Sequence, residues 1–367
     1  MKDYIKEIID FDIVNNNFDG YEGKIIEFNS IPKKNIYLPF QLYIPNNIKT
    51  KVDLIVTIRT PYVSFDTFDR ALENAKYEEI NGKKYLMILK YVKLLSQKYK
   101  LPVLIPIIPR CPGLDTYYYG YRMFHNDFEV PIRLNEIGFS KFTKEDLNNF
   151  KNLDTQISSM IDFSKDYLKS KKIDVDDKVI FTGYSSGSKF ANFYSILNPK
   201  KVKMIIAGGT GGLLLNLIKN YNDFIFDYPI GINDLDFDLE NFRKIKQFYY
   251  IGLDDTNDPV YPKMKYKKDE NGKKQIVYDN DGNIEFDLDE NENYKFKDDN
   301  GSYTDYQVNA IIKSLGFNIQ KRFDFNKKNY LENGIECVFK KYPGDHNTVS
   351  KNESLYSDVE EFYINNR

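Results

Sequence analysis

Short β-branched runs alternate with amphipathic segments along most of this 367-residue chain. The runs at 52–58, 103–108 and 178–182 are strongly apolar, and each is followed by a segment whose apolar residues recur at helical spacing. Continuous apolar runs of this length are typical of strands buried on both faces of a sheet. The alternation therefore predicts an α/β fold, with a mostly parallel central sheet and helices on both faces.

The rest of the chain extends this pattern from an opening pair of strands to a C-terminal helix. Strands are expected at 24–28, 37–44, 52–58, 103–108, 178–182, 202–207, 247–251 and 335–340, and helices at 85–99, about 143–168, 187–197, 304–315 and 353–364.

Two segments interrupt the alternation. Residues 213–246 are apolar and aromatic with weak periodicity, which suggests a lid over the ligand-binding end of the sheet. Residues 261–303 are strongly charged and contain three Asn-Gly or Asp-Gly turn signals, which predict a protruding β-hairpin insertion. None of the three glycines fits the loop template of an EF-hand calcium site. We interpret residues 1–367 as a single domain that carries both segments.

The balance of charge and hydropathy excludes several classes of protein. The 52 Lys and Arg residues against 54 Asp and Glu give a formal net charge of -2. A chain built to bind nucleic acid has a basic excess, so no nucleic-acid partner is expected. No apolar run reaches the roughly 18 residues of a membrane span, and residues 1–10 lack the apolar core of a signal peptide. We therefore expect a cytoplasmic protein without a membrane span.

Cysteine and histidine are too rare to build the usual metal centres. The chain has only two of each, so a disulfide framework and a Cys/His zinc site are both disfavoured. We expect neither a metal ion nor an organic cofactor.

The most informative motif is Gly183–Gly187, which reads Gly-Tyr-Ser-Ser-Gly and fits the pattern G-x-S-x-G. It lies directly after a β-branched strand and at the start of a helix, where a nucleophilic serine occupies a sharp turn. The new helix offers free N–H groups to a developing negative charge. The motif predicts that Ser185 is a nucleophile; a glycine-rich turn without chemistry is the alternative.

A serine nucleophile needs a base, and histidine is the usual one near neutral pH. His346 lies in a glycine-containing loop directly after the strand expected at 335–340, which favours a catalytic role. His125 lies in an irregular segment, and we interpret it as a polar surface residue. Cys111 has no histidine in a comparable position, so a buried, unreactive thiol is expected there.

A carboxylate that orients the histidine is expected on the loop after the strand at 247–251. Three aspartates lie there: Asp254, Asp255 and Asp258. The same stretch also has good turn chemistry, which is the alternative reading of these residues.

The order of serine, aspartate and histidine on strand-end loops resembles that of the α/β-hydrolase superfamily, from about Lys24 to the C-terminus. The acid in that superfamily commonly lies in a Gly-x-x-Asp motif, which maps Gly252 and Asp255 here. The resemblance therefore implies Asp255 as the acid, with Asp258 second and Asp254 third.

The resemblance also implies an oxyanion hole with two donors. One is the backbone N–H of Ser186, the residue after the nucleophile. The second comes from the loop after the strand at 52–58, where many members have His-Gly and this chain has Arg-Thr-Pro-Tyr at 59–62. That segment is similar to one in cocaine-esterase-like and X-prolyl-dipeptidyl-peptidase-like hydrolases, which implies an oxyanion role for the hydroxyl of Tyr62. A packing role for Tyr62 is the alternative.

Taken together, these residues predict a serine hydrolase that cleaves a small carboxylic ester through an acyl-enzyme. One geometry serves esters and amides, so a serine peptidase or amidase is an alternative. A non-catalytic binding protein with this fold is a second alternative.

Overall fold

The structure is a computed structural model, and it describes residues 5–8, 23–48, 51–58, 67–80, 83–86, 88–109, 149–150, 152–260, 265–270, 272, 274–278, 285–290, 292 and 303–367. Three features considered above, Tyr62, Cys111 and His125, lie outside these residues, as do residues 143–148 of the helix expected from about 143.

A nine-stranded sheet forms the centre of the described chain. Its strands are β1 (Ile5–Ile8), β2 (Gly23–Phe28), β3 (Phe40–Pro45), β5 (Ile55–Ile58), β8 (Val103–Pro106), β10 (Val179–Tyr184), β11 (Val202–Gly208), β14 (Lys246–Gly252) and β17 (Cys337–Tyr342). They lie in the order β1-β2-β3-β8-β5-β10-β11-β14-β17. The strands β1, β2, β3 and β8 pair antiparallel, and the pairs from β8 through β17 are parallel.

In the part of the chain that the structure describes, helices cover both faces of this sheet, and four small two-stranded sheets lie outside it. The helices are α1 (Phe68–Lys76), α2 (Lys90–Tyr99), α3 (Leu153–Ser170), α4 (Ser186–Leu197), α5 (Leu239–Phe242), α6 (Asp305–Leu315), α7 (Ile319–Glu332) and α8 (Glu353–Asn366). The small sheets pair β4 (Lys51–Val52) with β9 (Asp174–Val175), β6 (Tyr77–Ile80) with β7 (Lys83–Leu86), β12 (Asn220–Tyr221) with β13 (Phe224–Ile225), and β15 (Tyr266–Lys268) with β16 (Lys274–Ile276).

Alternate side chains of the central strands enter two separate hydrophobic cores. On β10, Val179 and Phe181 pack into the core on one face, while Ile180 packs into the core on the other. All three are fully buried. This two-sided burial explains why the strand reads as a continuous apolar run rather than as an alternating one. The predicted mostly parallel α/β architecture is confirmed.

Three helix assignments need correction. Of the helix expected at about 143–168, residues 149–150 form a turn and the helix begins only at Leu153, because Asn152 has a left-handed backbone with φ 48°. The helix expected at 85–99 begins only at Lys90, because Tyr85 and Leu86 pair with β6 in an antiparallel hairpin. Leu86 and Leu89 are still buried, so their spacing reports a shared core rather than a shared helix. The 14-residue helix α7 was not predicted at all.

The two interrupting segments differ in how they pack. At the start of 213–246, Leu214, Leu215 and Leu217 are buried in the core that contains Val179, and Leu213 is buried in a third, smaller cluster. In 261–303, β15 and β16 form an antiparallel hairpin, and all three residues of β15 are exposed. A lid function for the first segment remains a prediction. Among the described residues, no helix combines the length and apolar character needed to cross a bilayer.

Candidate active site

The order of the parallel strands indicates that a site lies at the carboxyl ends of the central strands. After β5 the chain moves to β8 on one side, and it then crosses to β10 on the other side of β5. The crevice outside the carboxyl ends of β5 and β10 is therefore a topological switch point, where open α/β sheets bind ligands. Ser185 directly follows β10 at this crevice.

Ser185 occupies a sharp turn between β10 and α4. Its backbone has φ 56° and ψ -125°, a conformation that non-glycine residues rarely adopt. Such a residue costs on the order of 1–3 kcal/mol and persists where its surroundings enforce it. Here the N–H of Ser185 donates to the carbonyl of Gly208 at 2.9 Å, which anchors the turn to β11.

The two glycines of the motif allow the backbone to pass through this turn. A Cβ atom at Gly183 would lie 2.1 Å from the carbonyl oxygen of Gly187, and one at Gly187 would lie 2.2 Å from that of Ile58. Both obstacles are backbone atoms, which cannot move aside as a flexible side chain can. Glycine at these positions is therefore required by close packing of α4 on β10 and β5.

The loops after β14 and β17 lie side by side because their strands are paired in register. Gly252 pairs with Tyr342 at the end of the ladder. Beyond it, the N–H of Asp254 donates to the carbonyl of Gly344 at 3.0 Å. A Cβ atom at Gly252 would lie 2.3 Å from the carbonyl oxygen of Gly344, so the two loops are in close contact. This contact brings Asp255 and His346 together.

The side chains of Ser185, His346 and Asp255 form a continuous chain of hydrogen bonds. Nε2 of His346 lies 3.0 Å from Oγ of Ser185, and Nδ1 lies 3.0 Å from Oδ2 of Asp255. An ionised carboxylate only accepts, so Nδ1 carries the proton and a neutral imidazole presents its Nε2 lone pair to the serine. The arrangement suits Nε2 to accept the proton of the serine hydroxyl.

Asp255 is shielded from water and has a partner for each oxygen. Its side chain is fully buried, and Oδ1 accepts the backbone N–H of Asn257 at 2.9 Å. Its other oxygen faces His346. A buried carboxylate held at both oxygens keeps one orientation, which in turn fixes the imidazole.

Two further residues contact His346, and neither was identified from the sequence. The amide nitrogen of Asn257 lies 3.0 Å from Nε2, so its N–H competes with the hydroxyl of Ser185 for one lone pair. The hydroxyl of Tyr184 donates to the carbonyl of His346, and the centres of the phenol and imidazole rings lie 5.2 Å apart. In the sequence, the only signal for Tyr184 was its place in the Gly183–Gly187 motif, and the only signal for Asn257 was its place in the loop that contains Asp255.

The other two candidate acids lie in different surroundings. Asp254 is exposed, and its backbone rather than its carboxylate contacts the histidine loop. Oδ2 of Asp258 lies 2.5 Å from Nη2 of Arg322, which is fully buried, and Oδ1 accepts the N–H of Val260 at 2.8 Å. Burial raises the pKa of Asp258 above its ordinary value, while Arg322 opposes this shift.

The residue after Ser185 begins α4. Ser186 is the first helical residue, and N–H groups in the first turn have no acceptor within the helix. The backbone N–H of Ser186 is thus available to an anion beside Ser185. Tyr62, the second predicted oxyanion donor, lies outside the described residues. In the part of the chain that the structure describes, no cluster of three metal-ligating side chains occurs.

No family model matches the chain, and a search of curated protein sequences finds no relative. Similar solved structures include a ferulic acid esterase (11% identity, 93% of this chain and 98% of that chain, TM-score 0.47). Others are poly(aspartic acid) hydrolase-1 from Sphingomonas sp. KT-1 (14% identity, 88% and 92%, TM-score 0.46) and an S-formylglutathione hydrolase from Agrobacterium tumefaciens (10% identity, 95% and 97%, TM-score 0.41). All three TM-scores are below 0.5, so these similarities do not indicate the activity of this chain.

The strand order itself identifies the architecture. The mostly parallel sheet carries a serine elbow after β10, an aspartate loop after β14 and a histidine loop after β17. The G-x-S-x-G turn above the sheet and the order of the three loops along the chain are those of one fold. The chain has the fold of the α/β-hydrolases.

Proposed function

We propose that this protein is a serine hydrolase that cleaves carboxylic esters through a covalent acyl-enzyme. The observation that carries the proposal is the pair of 3.0 Å contacts that join His346 to Ser185 and to Asp255. A strained serine, a histidine and a buried aspartate in this order form a nucleophile, a base and an orienting group.

In the first half of the reaction, Oγ of Ser185 attacks the ester carbonyl and Nε2 of His346 accepts its proton. The carbonyl oxygen becomes an oxyanion, which the N–H of Ser186 stabilises at the positive end of α4. The imidazolium then gives its proton to the leaving alcohol as the carbon–oxygen bond breaks. Asp255 stabilises the imidazolium throughout and stays ionised.

In the second half, a water molecule replaces the alcohol. His346 accepts a proton from this water as the water oxygen attacks the acyl carbon. The tetrahedral intermediate collapses, the proton returns to Oγ of Ser185, and the carboxylic acid leaves. The residues thus return to their starting protonation states without a cofactor.

Steady-state hydrolysis of p-nitrophenyl esters graded by acyl length tests this proposal, together with intact mass after rapid quench. We expect a transient mass increase equal to the acyl group in the wild type, and its absence in Ser185→Ala. We expect kcat of Ser185→Ala to be lower by at least about 10⁴-fold, because the nucleophile acts as a unit with its base.

The control is Ser354→Ala, which changes an exposed serine at the start of α8. It should hydrolyse every ester at the wild-type rate. Matched anilides in the same series separate an esterase from an amidase. Equal ester turnover by the wild type and by folded Ser185→Ala would contradict the proposal.

A further inference from the structure

Lys189 lies one helical turn beyond the nucleophile, and no carboxylate of the described residues pairs with it. Lys189 is in the first turns of α4, where its backbone N–H lies 3.4 Å from the carbonyl oxygen of Ser185. A helical side chain leans toward the N-terminus of its helix. Lys189 therefore leans toward the turn that carries Ser185, and its charge is also attracted to Asp258 in the loop that carries Asp255.

The surroundings of this ammonium group are aromatic rather than acidic. Nζ of Lys189 lies 3.5 Å from the hydroxyl of Tyr303 and 5.6 Å from the centre of its ring. Within the described residues, no carboxylate lies within ion-pair distance of Lys189. Burial lowers the pKa of Lys189 to about 7, with attraction to Asp258 opposing that shift and repulsion from Arg322 adding to it.

The carboxylate that attracts Lys189 is already engaged by another cation. Asp258 pairs with Arg322 at 2.5 Å, and Arg322 is fully buried. The Nε atom of Arg322 has no hydrogen-bond partner in the described chain. Asp258, in the loop that carries Asp255, thus pairs with Arg322 and attracts Lys189 only from beyond ion-pair distance. A partly buried cation without a counter-ion is costly, and an anion entering this space would relieve that cost.

We propose that Lys189 binds a carboxylate of the substrate, so that the enzyme prefers esters that carry a negative charge near the scissile bond. This inference rests on the proposed function, because it assigns a substrate class to the same site. Lys189 is a specificity residue in this account and takes no part in the proton transfers.

Two matched pairs of esters test the proposal. On the acyl side, p-nitrophenyl hemisuccinate is compared with p-nitrophenyl 4-methylpentanoate, which has nearly the same shape without the charge. On the alcohol side, 4-carboxyphenyl butanoate is compared with 4-carbamoylphenyl butanoate. The quantity measured is the ratio of kcat/KM for the charged ester to that for the neutral ester.

Four proteins are compared: the wild type, Lys189→Met, Lys189→Arg and Lys200→Met. Lys200 is an exposed lysine that lies 3.9 Å from Asp238, and its variant serves as the matched control. We expect Lys189→Met to lower the ratio at least about 10-fold in one of the two pairs, through KM. Lys189→Arg should keep most of the preference, and Lys200→Met should keep all of it.

The pH dependence of the same ratio is a second readout. Because the pKa of Lys189 is lowered to about 7, the free enzyme loses the ammonium charge as pH rises above 7. The groups facing it are Asp258, Arg322 and the buried Tyr303, whose own pKa is raised by burial. The preference for the charged ester should thus fall above pH 7 in the wild type and stay flat in Lys189→Met. Ionisation of the catalytic base affects both esters and cancels in the ratio.

The outcomes separate this inference from the proposed function. If the wild type cleaves neutral esters through Ser185, and Lys189→Met leaves both ratios unchanged, the inference is wrong and the proposed function stands. If Lys189→Met lowers the melting temperature and reduces turnover of charged and neutral esters equally, Lys189 is structural and the inference is also wrong. If Lys189→Met does not fold, the ratio for Lys189→Arg and the pH profile of the wild type decide. If no ester forms an acyl-enzyme, both proposals are overturned.

Discussion

Two aspartates three positions apart in one loop have different partners. We therefore expect one of them to matter for activity and the other for stability. Asp255 faces His346, while Asp258 faces the buried guanidinium of Arg322. The sequence alone placed both in the same turn and ranked them by resemblance to a family motif. The surroundings of the two carboxylates predict that loss of Asp255 lowers turnover and that loss of Asp258 lowers the free energy of unfolding.

We expect Asp255→Asn to lower kcat for ester hydrolysis by roughly 10³- to 10⁴-fold while the protein stays folded. The amide cannot stabilise the imidazolium, and its NH₂ group favours the wrong tautomer of His346. Steady-state kinetics and circular dichroism check this expectation. Asp254→Asn, an exposed neighbour, is the matched control and should behave as the wild type. Normal turnover by Asp255→Asn would exclude it as the orienting acid.

Asp258→Asn should instead reduce the free energy of unfolding by about 3 kcal/mol, because it leaves Arg322 buried without a counter-ion. Urea denaturation followed by fluorescence or circular dichroism measures this change. If unfolding is unaffected and only turnover is lost, the assignment of the two aspartates is reversed.

Among the elements, helix α7 shows where sequence reasoning failed and why. Its buried face includes Arg322, Asn326 and Asn329, polar residues at positions where the periodicity analysis looks for apolar ones. These side chains serve the neighbouring segment: Asn326 donates to the carbonyl of Gly212 at 2.8 Å, and Asn329 accepts the N–H of Leu217 at 2.7 Å. Side chains of α7 thus satisfy backbone groups of this buried segment, as a neighbouring strand does within a sheet.

The turn at Gly183–Gly187 shows the opposite case, in which the sequence alone was sufficient. Its residues are contiguous, and each contributes to one tight local geometry, so Gly183–Gly187 could be interpreted from the sequence alone. Residues that meet only through tertiary packing, such as Asn257 and Arg322, could not. Their contacts with His346 and Asp258 depend on how the strand-end loops align.

At the level of elements, Asn329→Ala should lower the free energy of unfolding by about 1–3 kcal/mol, since it leaves the N–H of Leu217 buried and unpaired. The comparison is Lys328→Ala on the same helix, whose side chain is 72% exposed and which should change it by less than about 0.5 kcal/mol. Urea unfolding of both variants gives the two values. Equal effects would mean that α7 does not hold the 213–217 segment in this way.

For the whole molecule, the alternation of strands and helices was sufficient to predict the fold class. Parallel strands buried on both faces leave a clear apolar signal, and β10 and β11 were predicted to within two residues of their ends. The short hairpin of β6 and β7 was missed, because its charged residues carry no such signal.

Buried tyrosines give the whole molecule a characteristic response to alkali. Among the described residues, burial raises the pKa of nine phenols well above the ordinary value of 10, at Tyr91, Tyr194, Tyr228, Tyr249, Tyr250, Tyr303, Tyr330, Tyr342 and Tyr363. A group whose pKa is raised on folding contributes stability that is complete below its unfolded pKa and is lost as pH rises above it. Each phenol approaches a loss of about 1.4 kcal/mol per pH unit above 10.

We therefore expect cooperative unfolding between about pH 10 and 11.5, since the summed loss is comparable with the whole stability of a domain. Absorbance at 295 nm reports phenol ionisation, and far-ultraviolet circular dichroism reports folding. The two transitions should coincide for the buried phenols. Complete ionisation near pH 10 with the circular dichroism unchanged would show that these phenols are accessible to solvent.

The central claim is that Ser185 is a nucleophile activated by His346, and labelling with a fluorophosphonate probe tests it most directly. The account predicts one adduct, located at Ser185 by mass spectrometry, absent in Ser185→Ala and formed much more slowly in Asp255→Asn. An adduct at a different serine, or no adduct on folded wild-type protein under conditions that label a known serine esterase, would contradict it.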